Sequence, residues 1–246
     1  MLKNLAALTT QVLLTSYGAM SFPANSPKAP SYSRQATEIW ENFWEGEKPV
    51  HTVDVPSPDG KKFVSAAYNE QRELTMLTVS VGEKRFLVNI GQGVGAELAW
   101  SPDSEAFFVT YSDAGLNGRY HTSVFYVHET GLNKINPDLV IQRAFGHPVE
   151  CDYPEPPNVV GVAWLGNSHR VIIAAQIINH GICDSYGTFK AYEVSFPDLT
   201  LIRKYEQLVA KKKFWSELGE ELRSARDNCI TDPKSCYTPV RQTHQD

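Results

Sequence analysis

Four side chains that could bind a metal ion or exchange protons lie in two segments of the sequence: His147, Asp152, His180 and Asp184. Imidazole and carboxylate groups are the usual ligands of zinc and the usual general acids and bases of enzymes. The four residues contain no ligand pair of the His-x-x-x-His kind, and such residues are common in exposed loops. We therefore predict no catalytic residue, no bound metal and no cofactor, with a metal or catalytic site as the minority interpretation.

A glycine-rich stretch, Gly91-Gln92-Gly93-Val94-Gly95, follows an apolar run that ends at Ile90. A phosphate-binding loop requires a helix directly after the glycines, whereas residues 97–100 have the pattern of a strand. We interpret the stretch as a connection between two structural units. The sequence also has no Gly-x-Ser-x-Gly motif, which marks the nucleophile of many hydrolases. Whether the chain is an enzyme stays open, and the sequence favours a non-catalytic protein.

A short turn motif recurs along the chain, as Ser57-Pro58-Asp59-Gly60, as Ser101-Pro102-Asp103-Ser104 and, more weakly, as Leu165-Gly166-Asn167-Ser168. In the first two copies Ser, Pro and Asp suit the first three positions of a type I turn between antiparallel strands. A strand-like apolar run follows each turn, and two further strand-like runs complete each repeat. We predict three four-stranded antiparallel units in residues 51–205.

Tryptophan stands directly before two of these turns, at Trp100 and Trp164. Four-stranded repeats of about 40 to 50 residues that contain such a turn resemble the blades of the TolB-like and WD40-like β-propeller families. The resemblance covers about residues 52–205 and implies an all-β, propeller-like fold with terminal helices, but it says little about function. Propellers close with about four to eight blades. Three explanations for the smaller number of repeats in this sequence remain open. The chain could contain a diverged fourth blade, a second chain could complete the ring in a homodimer, or the terminal helices could cover the sheet edges.

The long connections of the repeats are predicted to lie at one end of the sheets, because successive turns of a meander alternate between the two ends. These connections are 69–73, 91–96, 112–120, 136–158 and 179–187. Long loops on a rigid sheet scaffold are where binding usually occurs, and Arg and Tyr are enriched in binding hot spots. We predict the following partner-contacting residues: Asp113, Asn117, Arg119, Tyr120, His121, Tyr153 and Tyr186. The alternative is that the aromatic rings only cover the ends of the sheets.

The four cysteines are predicted to form two disulfides, Cys151 with Cys183 and Cys229 with Cys236. The first pair lies in two long connections of the same repeat, and the second pair encloses a probable turn at Asp232-Pro233. Four cysteines allow three pairings, so the sequence does not fix this one.

Both ends of the repeat region have the pattern of amphipathic helices. Residues 34–46 place apolar side chains at helical spacing after Ser33, a suitable N-cap, and residues 205–226 place another apolar stripe. We expect both helices to pack on the sheets, with docking of a partner as the alternative. The chain then divides into a signal segment 1–19, an N-terminal segment 20–50, the β domain 51–205 and a tail 206–246.

Residues 1–19 have the order of parts of a secretory signal peptide, with Lys3, a mostly apolar run over 5–14 and the small residues Ser16, Gly18 and Ala19. An ordinary apolar N-terminus is the alternative. The apolar run is too short to span a bilayer, so we predict no membrane insertion after signal removal. The net charge of −5 gives no general attraction to nucleic acid. We predict a periplasmic or secreted protein that does not bind nucleic acid.

The sequence thus favours an exported, non-catalytic protein-binding module that recognises another protein through its long loops. An inhibitor or immunity protein that neutralises an antibacterial toxin in the periplasm is one such role, and a scaffold of an envelope complex is another. The competing hypothesis is a hydrolase or carbohydrate-binding propeller that uses carboxylates and aromatic rings of the same loops.

Overall fold

The chain folds mainly into antiparallel β-sheets in a computed structural model, which describes residues 31–39, 53–69, 74–91, 96–112, 118–146, 155–177 and 187–225. A two-residue strand, β1 (Thr37–Glu38), comes first and pairs with the second of three sheets. Sheet I contains β2 (Val53–Pro56), β3 (Lys62–Asn69), β4 (Leu74–Val81) and β5 (Lys84–Gly91). Sheet II contains β6 (Ala96–Trp100), β7 (Ala106–Ser112), β8 (Tyr120–His128) and β9 (Gly131–Ile135).

The helix α1 (Asp138–Phe145) follows sheet II in the chain. Sheet III then contains β10 (Asn158–Trp164), β11 (Arg170–Gln176), β12 (Phe189–Ser195) and β13 (Thr200–Glu206). Two short helices, α2 (Gln207–Phe214) and α3 (Glu220–Ser224), complete the described part. The prediction of three four-stranded antiparallel units is confirmed. None of the described sheets closes on itself.

The recurring turns have the hydrogen bonds that their sequence predicts. The Ser57 hydroxyl lies 2.6 Å from Asp59 Oδ1, and the Ser101 hydroxyl lies 2.7 Å from Asp103 Oδ1. In each turn the N–H three residues after the serine donates to the serine carbonyl, as in a type I turn. Asp103 Oδ2 also accepts the N–H of Ser168 at 2.9 Å, so the second turn is hydrogen-bonded to the third.

Indole hydrogen bonds join successive sheets. Trp100 Nε1–H donates to the carbonyl of Val55 in sheet I at 3.1 Å, and Trp164 Nε1–H donates to the carbonyl of Ala99 in sheet II at 3.0 Å. Pro56 occupies the equivalent position in sheet I, directly before Ser57, and proline has no such donor. The described sheets therefore stack in the order I, II, III through one repeated contact, with sheet I at one end.

Both terminal segments differ from the predicted helices. Residues 34–39 form bends and the strand β1, so the helix predicted over 34–46 is wrong there; residues 40–46 lie outside the described part. Ser33 does not cap a helix, because no helix follows it over 34–39; its hydroxyl accepts the N–H of Gln35 at 3.1 Å and donates to the carbonyl of Val162 at 2.6 Å. The pairing of β1 with β6, and the bonds of the Ser33 and Gln35 side chains to the backbone of β10, thus replace the local helical bonds of this segment.

The predicted C-terminal helix is divided into α2 and α3 by residues 215–219. A Cβ atom at Gly219 would lie 2.3 Å from the backbone oxygen of Ser31, and the Gly219 N–H donates to the carbonyl of Tyr32 at 2.8 Å. The break therefore lets the N-terminal segment pass close to the backbone. The two short helices still cover one face of sheet III: Leu218, Leu222 and Ala225 of the predicted stripe are buried together with Phe214, whereas Leu208 and Trp215, which the stripe also included, are exposed.

A buried carboxylate holds the N-terminal segment to sheet II. Glu97 is 4% exposed and accepts the N–H groups of Tyr32 and Ser33 at 2.8 and 3.2 Å. Burial raises the pKa of this carboxyl to about 8, and its hydrogen bonds act in the opposite direction. The segment 31–39 is thus fixed by a group whose charge is costly to bury.

Neighbouring strands are antiparallel, so successive connections lie at alternate ends of each sheet, and the two ends carry different sets of connections. The short turns 57–61, 101–105 and 165–169 lie at one end, and residues 118–121, 136–138 and 155–158 lie at the other, here called the long-loop rim. The two-ended arrangement predicted from the repeats is present in the described residues. No helix among them is long and apolar enough to cross a membrane.

Candidate functional site

Two side chains of sheet II and one from the start of α1 lie in one row at the long-loop rim. Tyr111 of β7 pairs with His121 of β8, and their ring centroids are 5.7 Å apart. Val124 of β8 pairs with Ile135 of β9. The same antiparallel register, continued three residues further, places Asp138 opposite His121, although Asp138 already belongs to α1. The sheet ladder therefore positions a phenol, an imidazole and a carboxylate together.

The imidazole and the carboxylate form a short hydrogen bond. His121 Nδ1 lies 2.6 Å from Asp138 Oδ2, and the side chains are 13% and 8% exposed. A carboxylate oxygen accepts, so Nδ1 carries the hydrogen. Arg119 Nε–H is 3.4 Å from His121 Nε2, a long contact in which the ring nitrogen accepts. The two contacts together fix the ring with Nδ1 protonated and Nε2 facing the guanidinium.

The turn between β9 and α1 orients the carboxylate. Asn136 Oδ1 accepts the N–H of Asp138 at 2.8 Å, which is the bond of an Asx turn. The N–H of Thr122 donates to Asp138 Oδ1 at 3.3 Å. Pro137 directly precedes α1, with a φ of −81° that proline readily adopts. The sequence Asn136-Pro137-Asp138 thus ends the strand, starts the helix and aims the carboxylate at His121.

A cavity of about 550 Å³ opens beside these residues at the long-loop rim. Ile90 of sheet I forms part of its wall, so the cavity lies where sheets I and II meet. Its lining residues are Ile90, Tyr111, Arg119, His121, Asn136, Asp138, Leu139 and Gln142. The volume is within the usual range for sites that bind small molecules or single side chains, about 300 to 1,000 Å³.

Two of the predicted partner-contacting residues, Arg119 and His121, line this cavity, whereas Tyr120 does not. Tyr120 is 6% exposed, its ring packs edge-on against Tyr32 at 5.0 Å, and its N–H donates to Asn158 Oδ1 at 2.9 Å. Adjacent residues of a strand point to opposite faces, which explains the separation. Burial raises the pKa of the Tyr120 hydroxyl well above its usual range. Its side chain is therefore not available for the direct contact predicted from the sequence.

The other predicted site residues lie outside the described part of the chain. They are Asp113, Asn117, Tyr153 and Tyr186, the cysteines Cys151, Cys183, Cys229 and Cys236, and the metal or acid-base candidates His147, Asp152, His180 and Asp184. The disulfides and these contacts stay predictions. Within the described ranges no three His, Cys, Asp or Glu side chains come close enough together to hold a metal ion.

Sequence reasoning missed the residues that complete the cavity, above all Asp138 and Tyr111. Both are brought to His121 by strand register, which depends on where each hairpin turns. The tight turn at Glu129-Thr130-Gly131 was recognisable in the sequence. Counting back from it along β8 and forward along β9 would have placed Asp138 opposite His121.

No family model matches the sequence, and no curated protein matches it. Among solved structures, the β-propeller domain of the Trilobed protease from Pyrococcus furiosus matches 63% of this chain at 15% identity and a TM-score of 0.37. An acylaminoacyl peptidase from Pyrococcus horikoshii matches 68% of it at 9% identity and a TM-score of 0.39. The matched regions span 43% and 26% of those two chains. The finer resemblance to TolB-like or WD40-like families stays a prediction.

Proposed function

We propose that this chain is a non-catalytic binding module that recognises a partner protein through its long-loop rim, with the cavity beside Arg119 and His121 at the centre of the contact. The observation that carries the proposal is the cavity itself. It combines a cation, aromatic and aliphatic side chains and amide groups in a concave site at the end of a sheet. Sites of this composition are typical of the central part of protein interfaces.

The rigid support of the cavity favours recognition. Tyr111 and His121 belong to paired strands. Asp138 is held by three hydrogen bonds: its N–H donates to Asn136, and its carboxylate accepts from His121 Nδ1–H and the N–H of Thr122. Side chains that are already fixed lose little conformational freedom when a ligand binds. The entropic cost of ordering the site would therefore be small when a partner inserts a side chain here.

The proposed setting is the periplasm or the extracellular space, as the predicted signal segment indicates. There, neutralising an antibacterial toxin as an inhibitor or immunity protein is a role that a small binding module can fill. A scaffold in an envelope complex is the other role that we propose for the same surface. Identifying the partner distinguishes the two, because a toxin loses its activity when the module binds.

Site-specific photocrosslinking tests this proposal. A photoreactive residue replaces Leu139, which lines the cavity and is 66% exposed, or Leu87, an exposed leucine of sheet I outside it, as a matched control. We expect a discrete adduct with a protein in the native envelope from position 139 but not from position 87. The adduct should decrease in an Arg119→Gln background. Failure to form an adduct at position 139, or the same adducts at both positions, would contradict the proposal.

A second candidate function rests on the 2.6 Å bond between His121 and Asp138. A carboxylate that holds the Nδ1–H of an imidazole makes Nε2 the basic nitrogen, and if Nε2 exchanged its long contact with Arg119 Nε–H for a water molecule it could activate that water, as in a hydrolase. The test is a panel of ester, peptide and glycoside substrates with wild type, His121→Ala and Asp138→Asn. Hydrolysis that disappears in both variants would favour the enzyme over the binding module.

A further inference from the structure

Sheet I has one face that packs on sheet II and one that points away from the stack, here called the outer face. Val64 and Ala66 of β3 are buried in the cluster that sheet I shares with sheet II. Phe63 alternates with them and is 43% exposed, and the register of β3, β4 and β5 puts Leu87, which is 73% exposed, on the same face. The outer face therefore presents large apolar side chains to solvent.

The equivalent face of the other two sheets is buried against a preceding sheet. Phe107 and Val171 stand six residues after the first residue of the second and third turn motifs, as Phe63 does after the first. Both are fully buried, Phe107 in the cluster with sheet I and Val171 in the cluster with sheet II. The repeat thus places an apolar residue where a sheet is expected to cover it, and in the described part of the chain no sheet precedes sheet I.

A second copy packed head to tail would not supply the missing sheet. In the contact between successive sheets, Trp100 and Trp164 donate to the sheet before them, but Pro56 stands at that position in sheet I and has no donor. The other end of the stack is sheet III, and its outward face is covered by α2 and α3 through Phe214 and Leu222. The face that a second copy can offer is therefore the outer face of its own sheet I.

The outer face is complementary to itself in charge and in shape. Asp54 of β2 and Arg85 of β5 are exposed on this face at opposite edges of sheet I, and neither forms an ion pair with another described residue. A two-fold axis parallel to the strands lays β2 of one copy over β5 of the other, which brings Arg85 within side-chain reach of Asp54 of the second copy. Phe63 of β3 then lies over β4 of the second copy, where the small Thr78 and Ser80 leave room for its ring.

We propose that this chain forms a symmetric homodimer in which the outer face of sheet I packs on the same face of a second copy. Three of the four strands have eight residues each. At about 3.3 Å per residue and about 4.8 Å per strand, the sheet gives a contact of about 500 Å² per copy. A total of about 1,000 Å² is near the lower limit for a specific interface, so the dimer should dissociate on dilution. The cavity lies on the opposite side of sheet I, where it meets sheet II, and stays open in both copies.

Sedimentation velocity of the full chain measures the association directly. We expect the mass to rise with concentration from that of one chain towards that of two. Leu87→Glu places a carboxylate opposite Asp54 of the second copy and should weaken dimerisation by roughly tenfold or more. Leu208→Glu, at a leucine of α2 that is 52% exposed, is the matched control and should dimerise like wild type. Both leucines are exposed, so neither change should disturb folding, which circular dichroism checks.

An exchange of charges tests the symmetry of the contact. Asp54→Arg and Arg85→Asp each place like charges together and should each weaken dimerisation by roughly tenfold. The variant with both changes should recover most of the affinity, because the pairs form again with their signs reversed. A chain that stays monomeric at its highest soluble concentration, as expected if another protein or another part of the chain covers this face, would overturn the proposal. A dimer that Leu87→Glu leaves intact, or a double variant that does not recover, would do the same.

Photocrosslinking separates this inference from the proposed function. A photoreactive residue at position 87 should give an adduct of the chain with itself, recognisable by twice the mass of one chain, whereas the adduct at position 139 contains the partner. Position 87 therefore still serves as the control for partner binding. An adduct at position 87 with any other mass would contradict the homodimer.

Discussion

The buried carboxylate of Glu97 makes the stability of this protein depend on pH in a direction opposite to that of most acidic residues. Burial raises the pKa of Glu97 from 4.5 to about 8, so the folded protein binds a proton more readily than the unfolded chain does. The stabilising contribution of the protonated group is complete below the unfolded pKa. It is lost as the pH rises through the window between 4.5 and about 8.

The size of the effect follows from that window. Within it the free energy of unfolding decreases by about 1.4 kcal/mol per pH unit for this one group. Between pH 5.5 and 7.5 the loss is about 2 to 3 kcal/mol. Glu97→Gln has nearly the same shape and cannot titrate. An amide in place of the carboxyl changes the bonds to Tyr32 and Ser33 by an amount that does not depend on pH, so it shifts the curve without changing its slope.

The assay is urea denaturation of wild type and Glu97→Gln at pH 5.5, 6.5 and 7.5 and constant ionic strength, monitored by tryptophan fluorescence. All other titratable groups are present in both proteins and cancel in the difference. The stability of wild type relative to the variant should fall by about 2 to 3 kcal/mol over this range. Parallel stability profiles, or a difference that grows with pH, would refute the reasoning about the buried carboxylate.

Three further substitutions test how the sheets are assembled, each by urea denaturation. Trp164→Phe removes the indole bond to the Ala99 carbonyl, which still pairs with β7, and should cost about 1 kcal/mol; no change would show that this contact does not hold sheets II and III together. Gly161→Ala places a methyl group 2.5 Å from the Phe108 ring and should cost about 1 to 3 kcal/mol. Phe108→Leu in the same chain should recover part of that loss, whereas strictly additive costs would contradict the clash. Gly60→Ala, at a φ of 70° with open space around it, should cost about 1 kcal/mol through backbone strain alone, and an unchanged stability would disprove this.

Residues close in the sequence determined the β architecture. The serine, proline and aspartate of the turns at Ser57 and Ser101 bond to one another over two or three residues, so their types alone predict where strands reverse. Buried and more exposed residues also alternate along a strand, as in β3, where Val64 and Ala66 are buried and Phe63 is exposed. This period of two can be recognised directly in the sequence. Arg119 and His121 were recognised for the same reason, as cationic and aromatic residues beside a loop.

Contacts between distant segments decided the rest. The N-terminal residues have a helical pattern, but the bonds of Ser33 to Val162 and of its backbone to Glu97 join positions 129 and 64 residues apart and outweigh the local preference. Tyr120 and His121 are neighbours in the sequence, yet one is packed in the core and the other lines the cavity, because a strand presents them to opposite faces. Asp138 reaches His121 through the register of β8 and β9. Local turn chemistry thus determines where the strands reverse. The cavity, by contrast, forms only because the fold brings residues of three strands and the N-terminal end of α1 together.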